Sequence, residues 1–291
     1  MKTIQKSRYC ILPLVFLFLS ALLTSFKLQG QVQFNDPVYI SKSFGYINMH
    51  RIVDMDQDGD LDVVFSDNGN LYLLERIGEH YGMIVLLSNK PDIKSLDVGD
   101  IDSDGNPDIS FSIFSSNSIY WLQNTGNREY TLHVLSNNEN GPENLIIVDL
   151  DGDGNVDILS NDFYTKRIIW HKNNGYQSFN RQTVIDYSEM NFYFAVKDLN
   201  LDGNKDLILA SNGTKQLEWY KNDGTENFES HPIIEDLYCI QHFCCSDYNN
   251  DGDIDIVAVS ESDELIVICE NDGSQISIYS LFLTHSVRHH L

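Results

Sequence analysis

DMDQDGDLD, residues 54–62, sets an aspartate at every second position around Gly59. The pattern returns as DIDSDGNPD (100–108), DLDGDGNVD (149–157), DLNLDGNKD (198–206) and DYNNDGDID (247–255). First aspartates are separated by 46 residues and then by 49 three times over. A fixed period of this length marks an array of equal units, each too small to bury its own apolar face. The residues between the loops give the unit its form. In the fourth, Phe192 to Val196 leads into the loop, Leu207 to Ala210 follows it, and Gln216 to Lys221, the turn Asn222-Asp223-Gly224 and Phe228 to Ile234 complete it. These runs are short, rich in β-branched and aromatic residues and bounded by Gly, Asn and Asp, so they predict strands. The expected fold is therefore all-β: about five four-stranded antiparallel blades in a propeller-like array, with each acidic loop between first and second strands.

The loops predict a bound cation. Carboxylates or amides at positions one, three, five and nine are Asp54, Asp56, Asp58 and Asp62; Asp100, Asp102, Asp104 and Asp108; Asp149, Asp151, Asp153 and Asp157; Asp198, Asn200, Asp202 and Asp206; Asp247, Asn249, Asp251 and Asp255. The glycine at position six permits a sharp bend that turns the carbonyl of position seven inward, from Asp60, Asn106, Asn155, Asn204 and Asp253. Every donor is oxygen and their number is irregular, which suits calcium better than zinc or octahedral magnesium. About five Ca2+ ions are expected. Two carboxylates about 4 Å apart repel by roughly 4 kcal/mol at an effective dielectric near 20, so four crowded oxygens without a cation are strained. An EF-hand is excluded, since it needs a bidentate Glu at position twelve and flanking helices. Position twelve here is Phe65, Phe111, Ser160, Leu209 and Ala258. The apolar position two, Met55, Ile101, Leu150, Leu199 and Tyr248, is expected to pin each loop to the core.

A second signature, Trp-x-x-Asn-x-Gly, begins at Trp121, Trp170 and Trp219, with Ile268 continuing the series. Its asparagines (Asn124, Asn173, Asn222, Asn271) and glycines (Gly126, Gly175, Gly224, Gly273) suit a tight hairpin, because both residue types tolerate positive φ. The tryptophans are expected to pack between blades rather than to form a carbohydrate-stacking platform.

The acidic loops resemble the FG-GAP and VCBS repeat families, whose calcium loops recur in the β-propeller of integrin alpha chains and in many secreted bacterial proteins. The resemblance covers about Val32 to Phe282 and implies side-chain donors at positions one, three, five and nine with a carbonyl from position seven. The Phe-Gly-Gly-Ala-Pro element of the family is absent, with Phe44-Gly45 a faint trace of it, so the bacterial branch is the nearer kin.

Composition bounds the rest. Residues 1–30 read as an export signal, with Lys2, Lys6 and Arg8 before an apolar run from Ile11 to Leu23; a retained anchor is the alternative, and no later segment has membrane-spanning length. Repeats fill 31–283, and 284–291 is an irregular tail. Signal removal takes four basic residues and moves the formal charge from −24 to −28, which excludes nucleic acid as a partner. Cys239, Cys244, Cys245 and Cys269 cluster in the last unit, where Cys245 is either a buried small hydrophobe or bridged to Cys269. Val32 to Ser41 resembles the outer strand at Gln177 to Asp186, leaving six outer strands for five places. Two readings of closure stay open: a small five-bladed ring with a spare strand, or a shortened relative of larger propellers that remains open or pairs with another chain. His171 is expected to face outward. No Gly-x-Ser-x-Gly elbow or zinc-type histidine spacing is present, and the histidines His285, His289 and His290 sit in the tail. The expected function is a secreted or cell-surface binding, adhesion or scaffold module for a protein or glycan. The alternatives are a polysaccharide lyase or hydrolase, for which Lys197, Glu143 and Tyr193 are the candidate residues, and a module of a larger assembly.

Overall fold

The computed structural model describes residues 47–67, 69–187, 191–211, 216–235, 237, 240–260, 262–273 and 276–282. The expected export signal, the strand at Val32 to Ser41, Phe44-Gly45, Cys239 and the tail lie outside them. All regular structure among the described residues is β, in five antiparallel sheets of four strands. The blades are β1 to β4 (Ile47–Val53, Asp62–Asp67, Asn70–Ile77, His80–Leu87), β5 to β8 (Ile93–Gly99, Asp108–Ile113, Ser118–Asn124, Tyr130–Ser136), β9 to β12 (Pro142–Val148, Asp157–Asp162, Arg167–Asn173, Phe179–Asp186), β13 to β16 (Asn191–Lys197, Asp206–Ser211, Gln216–Asn222, Phe228–Ile234) and β17 to β20 (Ile240–Ser246, Asp255–Ser260, Leu265–Asn271, Ile276–Phe282). Strands pair in sequence order within each blade, so every blade is a meander. The loops join first to second strands, as expected.

The shorter first period has a local cause. In the first blade Asp67 pairs with Asn70 across the β2–β3 turn, whereas Ile113 pairs with Ser118 in the second. That removes two residues, and the hairpin between Arg76 and Tyr81 is one shorter than that between Asn124 and Tyr130.

The apolar cores lie between blades. Met55, Val64, Leu71 and Leu73 of the first blade meet Leu96, Ile109, Phe111 and Leu122 of the second. Equivalent clusters join the second to the third, the third to the fourth and the fourth to the fifth. Alternation along each strand sends one face backward and the other forward, so a blade is stable only as a sandwich filling. Backbone contacts add to this at the inner strands. The carboxylate of Asp97 on β5 accepts from the Ile147 N–H of β9 at 2.9 Å and pairs with Arg51 of β1 at 2.7 Å. Ser95 Oγ accepts from the Leu145 N–H at 3.1 Å.

The described array is not closed by a further core of this kind. Ile52 is 63% exposed, although its counterparts Val98, Ile147, Val196 and Cys245 are half-buried against a preceding blade. At the other end Tyr248 is half-buried, while Met55, Ile101, Leu150 and Leu199 are buried by a following blade. Of the two readings of closure, these faces match the second, an array that stays open or pairs with another chain.

Candidate metal centres

Each loop is folded by its own side chains. The position-one carboxylate accepts from the glycine N–H at position six: Asp54 from Gly59 at 3.0 Å, Asp100 from Gly105 at 3.0 Å, Asp149 from Gly154 at 3.0 Å, Asp198 from Gly203 at 2.9 Å and Asp247 from Gly252 at 3.1 Å. The position-five carboxylate accepts from the N–H of position seven, between 2.8 and 3.0 Å in all five loops. These Asx-type turns curl the chain so that alternate side chains point to one centre. The glycines have φ between 91° and 102°, and a Cβ there would meet nothing within 4 Å. Backbone conformation alone therefore demands glycine. Position four is also left-handed, in Gln57, Ser103, Gly152, Leu201 and Asn250, a second bend that the sequence pattern does not announce.

The ninth aspartate does more than expected. Asp62, Asp108, Asp157, Asp206 and Asp255 are fully buried. One oxygen accepts from the N–H of position two (Met55, Ile101, Leu150, Leu199, Tyr248), and the other from the end of the third strand (Arg76, Asn124, Asn173, Asn222, Asn271), all between 2.7 and 3.1 Å. This residue ties the loop to the blade. Burial pushes Asp108 up to about 7 and Asp157 up to about 6, and raises Asp62 and Asp206, against the pull of those backbone donors. Position-three carboxylates Asp102 and Asp151 add to the upward push on Asp108 and Asp157. Such a buried, negative, incompletely compensated oxygen suits an adjoining cation.

Oxygen donors converge as that requires. Asp54, Asp56 and Asp58 bring one carboxylate oxygen each to within 4.8 Å of one another, as do Asp100, Asp102 and Asp108, and Asp149, Asp151 and Asp157. Asp54 Oδ1 is buried without a hydrogen-bond partner. In loops four and five the position-three donors are the amides Asn200 and Asn249, whose Oδ1 atoms face Asp202 N and Asp251 N at 3.3 and 2.9 Å. Asp104, Asp153, Asp202 and Asp251 occupy the same turn position as Asp58. At position seven, Asn106 and Asn155 turn their side chains to position five, and Asp60 turns to Arg76 at 3.4 Å, so these side chains are not part of the donor centre. The all-oxygen set fits a hard divalent ion such as calcium.

Chain similarity agrees with the geometry. The family model described as FG-GAP-like repeat matches residues 54–111, 100–160 and 198–258. The chain belongs to the FG-GAP-like repeat family. Among solved structures, this FG-GAP-like chain is similar to an auxiliary nutrient binding protein from Bacteroides ovatus ATCC 8483, with TM-score 0.53 and 11% identity over 81% of this chain and 57% of that one. It is also similar, with TM-score 0.45 and 16% identity over 82% of this chain and 81% of that one, to an Agrocybe aegerita lectin that recognises non-reducing terminal N-acetylglucosamine. The Bacteroides likeness shows the fold alone. No curated protein matches the chain.

Several sequence expectations change in this FG-GAP-like array. The asparagines of the Trp-x-x-Asn-x-Gly signature do not supply positive φ; the glycines do, at 74° to 81°. Each asparagine instead bridges two blades. Asn124, Asn173, Asn222 and Asn271 donate from Nδ2 to the position-two carbonyl of the preceding loop (Met55, Ile101, Leu150, Leu199) at 2.8 to 3.4 Å, and to the position-eight carbonyl of their own loop. The partner lies 69 to 72 residues away, beyond any local pattern.

The tryptophans pack as expected: Trp121 and Trp170 are buried, and Trp121 meets Phe179 of the next blade edge-on at 6.4 Å. Their indole N–H groups, with that of Trp219, face the ninth aspartate of their own blade and help hold its charge, without full hydrogen-bond geometry. Cys245 and Cys269 both pair with Ile256, from opposite sides of β18, so a middle strand separates them. Cys244, Cys245 and Cys269 are free thiols, which corrects the bridged reading.

His171 is buried rather than outward. It lies 3.6 Å from Glu139, which with Asp162 is held by Arg181 at 3.0 and 3.1 Å. That distance would admit an ion pair, but burial dominates and pushes the imidazole down to about 4. Of the residues considered for catalysis, Tyr193 and Lys197 both lie near Cys245. Glu143 has Lys94 and Tyr187 as charged or titratable neighbours, whereas Tyr193 has Arg51, Asp97 and the Cys244-Cys245 pair.

Proposed function

We propose that this protein is an exported, calcium-stabilised blade array that binds a protein or glycan partner without catalysis. The single observation behind this reading is the convergence of carboxylate oxygens in the first three loops, held by a turn whose position-one to position-six hydrogen bond recurs in all five blades. Within each loop, positions one, three, five and nine would hold the ion, and the ion would supply the positive charge that the buried ninth aspartate lacks. Family membership supports the calcium reading, and the same fold in a nutrient binding protein is compatible with a binding role. Among the described residues no helix is long and apolar enough to cross a membrane.

A glycan and protein binding array, probed with and without calcium, tests the reading. Saturable, calcium-dependent binding is expected. Turnover of acidic or neutral polysaccharides in a parallel screen would replace it with the lyase or hydrolase alternative. Loss of neither binding nor melting temperature on chelation would remove calcium from the account.

A further inference from the structure

The five loops are chemically alike, but one third-strand position beside them is not. The residue before the terminal Arg76 or bridging asparagine is Glu75, Gln123, Lys172, Lys221 and Glu270 in turn. Its side chain reaches into the loop of its own blade. Gln123 Nε2 donates to Asp102 Oδ2 at 2.5 Å, a neutral contact with position three. Lys172 Nζ lies 2.5 Å from Asp151 Oδ2, the same position-three oxygen, and 2.5 Å from Glu226 of the fourth blade's outer hairpin. Lys221 Nζ lies 3.7 Å from Asp202 Oδ2, at position five. Glu75 is buried and pairs with Arg128, whose guanidinium also feels Asp56 of loop one. Loop four carries the further loss of one carboxylate, since Asn200 replaces aspartate at position three.

An ammonium on a carboxylate oxygen satisfies the charge that a metal would otherwise satisfy, and it repels an arriving cation. We propose that Lys172 and Lys221 are resident cations that compete with calcium at loops three and four, so that loop two, where the neutral Gln123 stands in the lysine's place, fills before them. The proposal rests on the calcium reading above. Calcium and the ammonium draw on the same Asp151 carboxylate charge and repel one another, so filling loop three shifts Lys172 toward Glu226. Metal occupancy in the third blade is thereby coupled to an ion pair with the fourth. Glu226 provides the exit: its carboxylate already shares the ammonium, so release leaves no unpaired charge.

The test is calorimetric titration of calcium into the chelator-stripped full chain at low and moderate salt. The wild-type isotherm should resolve at least two classes of site. Removing one positive charge from beside a divalent site should tighten it by at least about tenfold, the value Coulomb's law gives for a separation of about 5 Å in a water-like dielectric. Lys172→Met should therefore move one site from the weak to the tight class, and Asp153→Ala in that background should abolish the moved site. Lys172→Arg, which keeps the charge, should leave the isotherm unchanged. Glu226→Gln should weaken the site by removing the exit. Lys221→Met provides the same measurement at loop four if the loop-three variant does not fold. Isotherms of Lys172→Met and Lys221→Met that superimpose on a wild type with five equal sites would overturn the proposal while leaving the calcium reading intact. Absence of calcium heat in the wild type would overturn both.

Discussion

Replacing Asn173 with alanine should uncouple the third blade from the second. The amide is buried, donates to Ile101 O at 2.8 Å and Val156 O at 3.0 Å, and accepts from Gly175 N at 3.0 Å. Three neutral hydrogen bonds at about 1 kcal/mol each, plus the buried Ile101 carbonyl and the half-buried Val156 carbonyl deprived of this donor, give a loss of about 3 to 5 kcal/mol. The loop itself should survive, because Asp157 is held by the backbone N–H of residue 173, which alanine keeps. Urea unfolding in saturating calcium should show a lower midpoint and a shallower transition, as blades that no longer support one another melt in steps. Arg76→Ala is the control. Arg76 occupies the same position in the first blade but reaches only Asp60 at 3.4 Å and Gly78 O at 3.1 Å with a side chain 44% exposed, so its loss should cost under about 1 kcal/mol. If Asn173→Ala costs no more than Arg76→Ala and unfolds as sharply as wild type, the asparagine is not a bridge and the argument fails.

Chelation should lower the melting temperature sharply, with calcium restoring it and magnesium doing so far less. Asp153→Ala should remove one site, worth about 1.4 kcal/mol when calcium is tenfold above its dissociation constant, and calorimetry should count one ion fewer. His171 takes a proton near 6.5 when unfolded but only near about 4 when folded, so its contribution is complete above about 6.5 and is lost as pH falls toward about 4. That loss amounts to about 3 kcal/mol, and unfolding midpoints of His171→Gln in chelator should lack this part of the acid destabilisation. Burial pushes Cys245 and Cys269 up to about 12, so a thiol reagent should label them slowly in the native protein and rapidly in denaturant. Rapid native labelling, or a mass change on reduction that signals a Cys245 to Cys269 bond, would contradict the strand register.

The acidic nonapeptides, the strands around them and the turn glycines were all legible in one dimension. Each is a local device: alternate side chains around a bend, or alternate faces along a strand, repeat at short range and leave a period that can be counted. The burial of Met55, Ile101, Leu150 and Leu199 followed from their apolar character beside that bend. Tertiary structure alone decided that Asn173 reaches Ile101, that Asp97 stitches β5 to β9, that His171 is enclosed with Glu139, Asp162 and Arg181, and that Lys172 lies on Asp151 rather than in solvent. At Asn173 and Asp97 a polar side chain finds its partner on a neighbouring blade, 72 and 50 residues away. In the case of Lys172, the partner is a loop of the same blade, brought close by the third strand's return. Hydrogen bonds and ion pairs depend on distance in space, and in a stack of blades that distance is set by the cores between them.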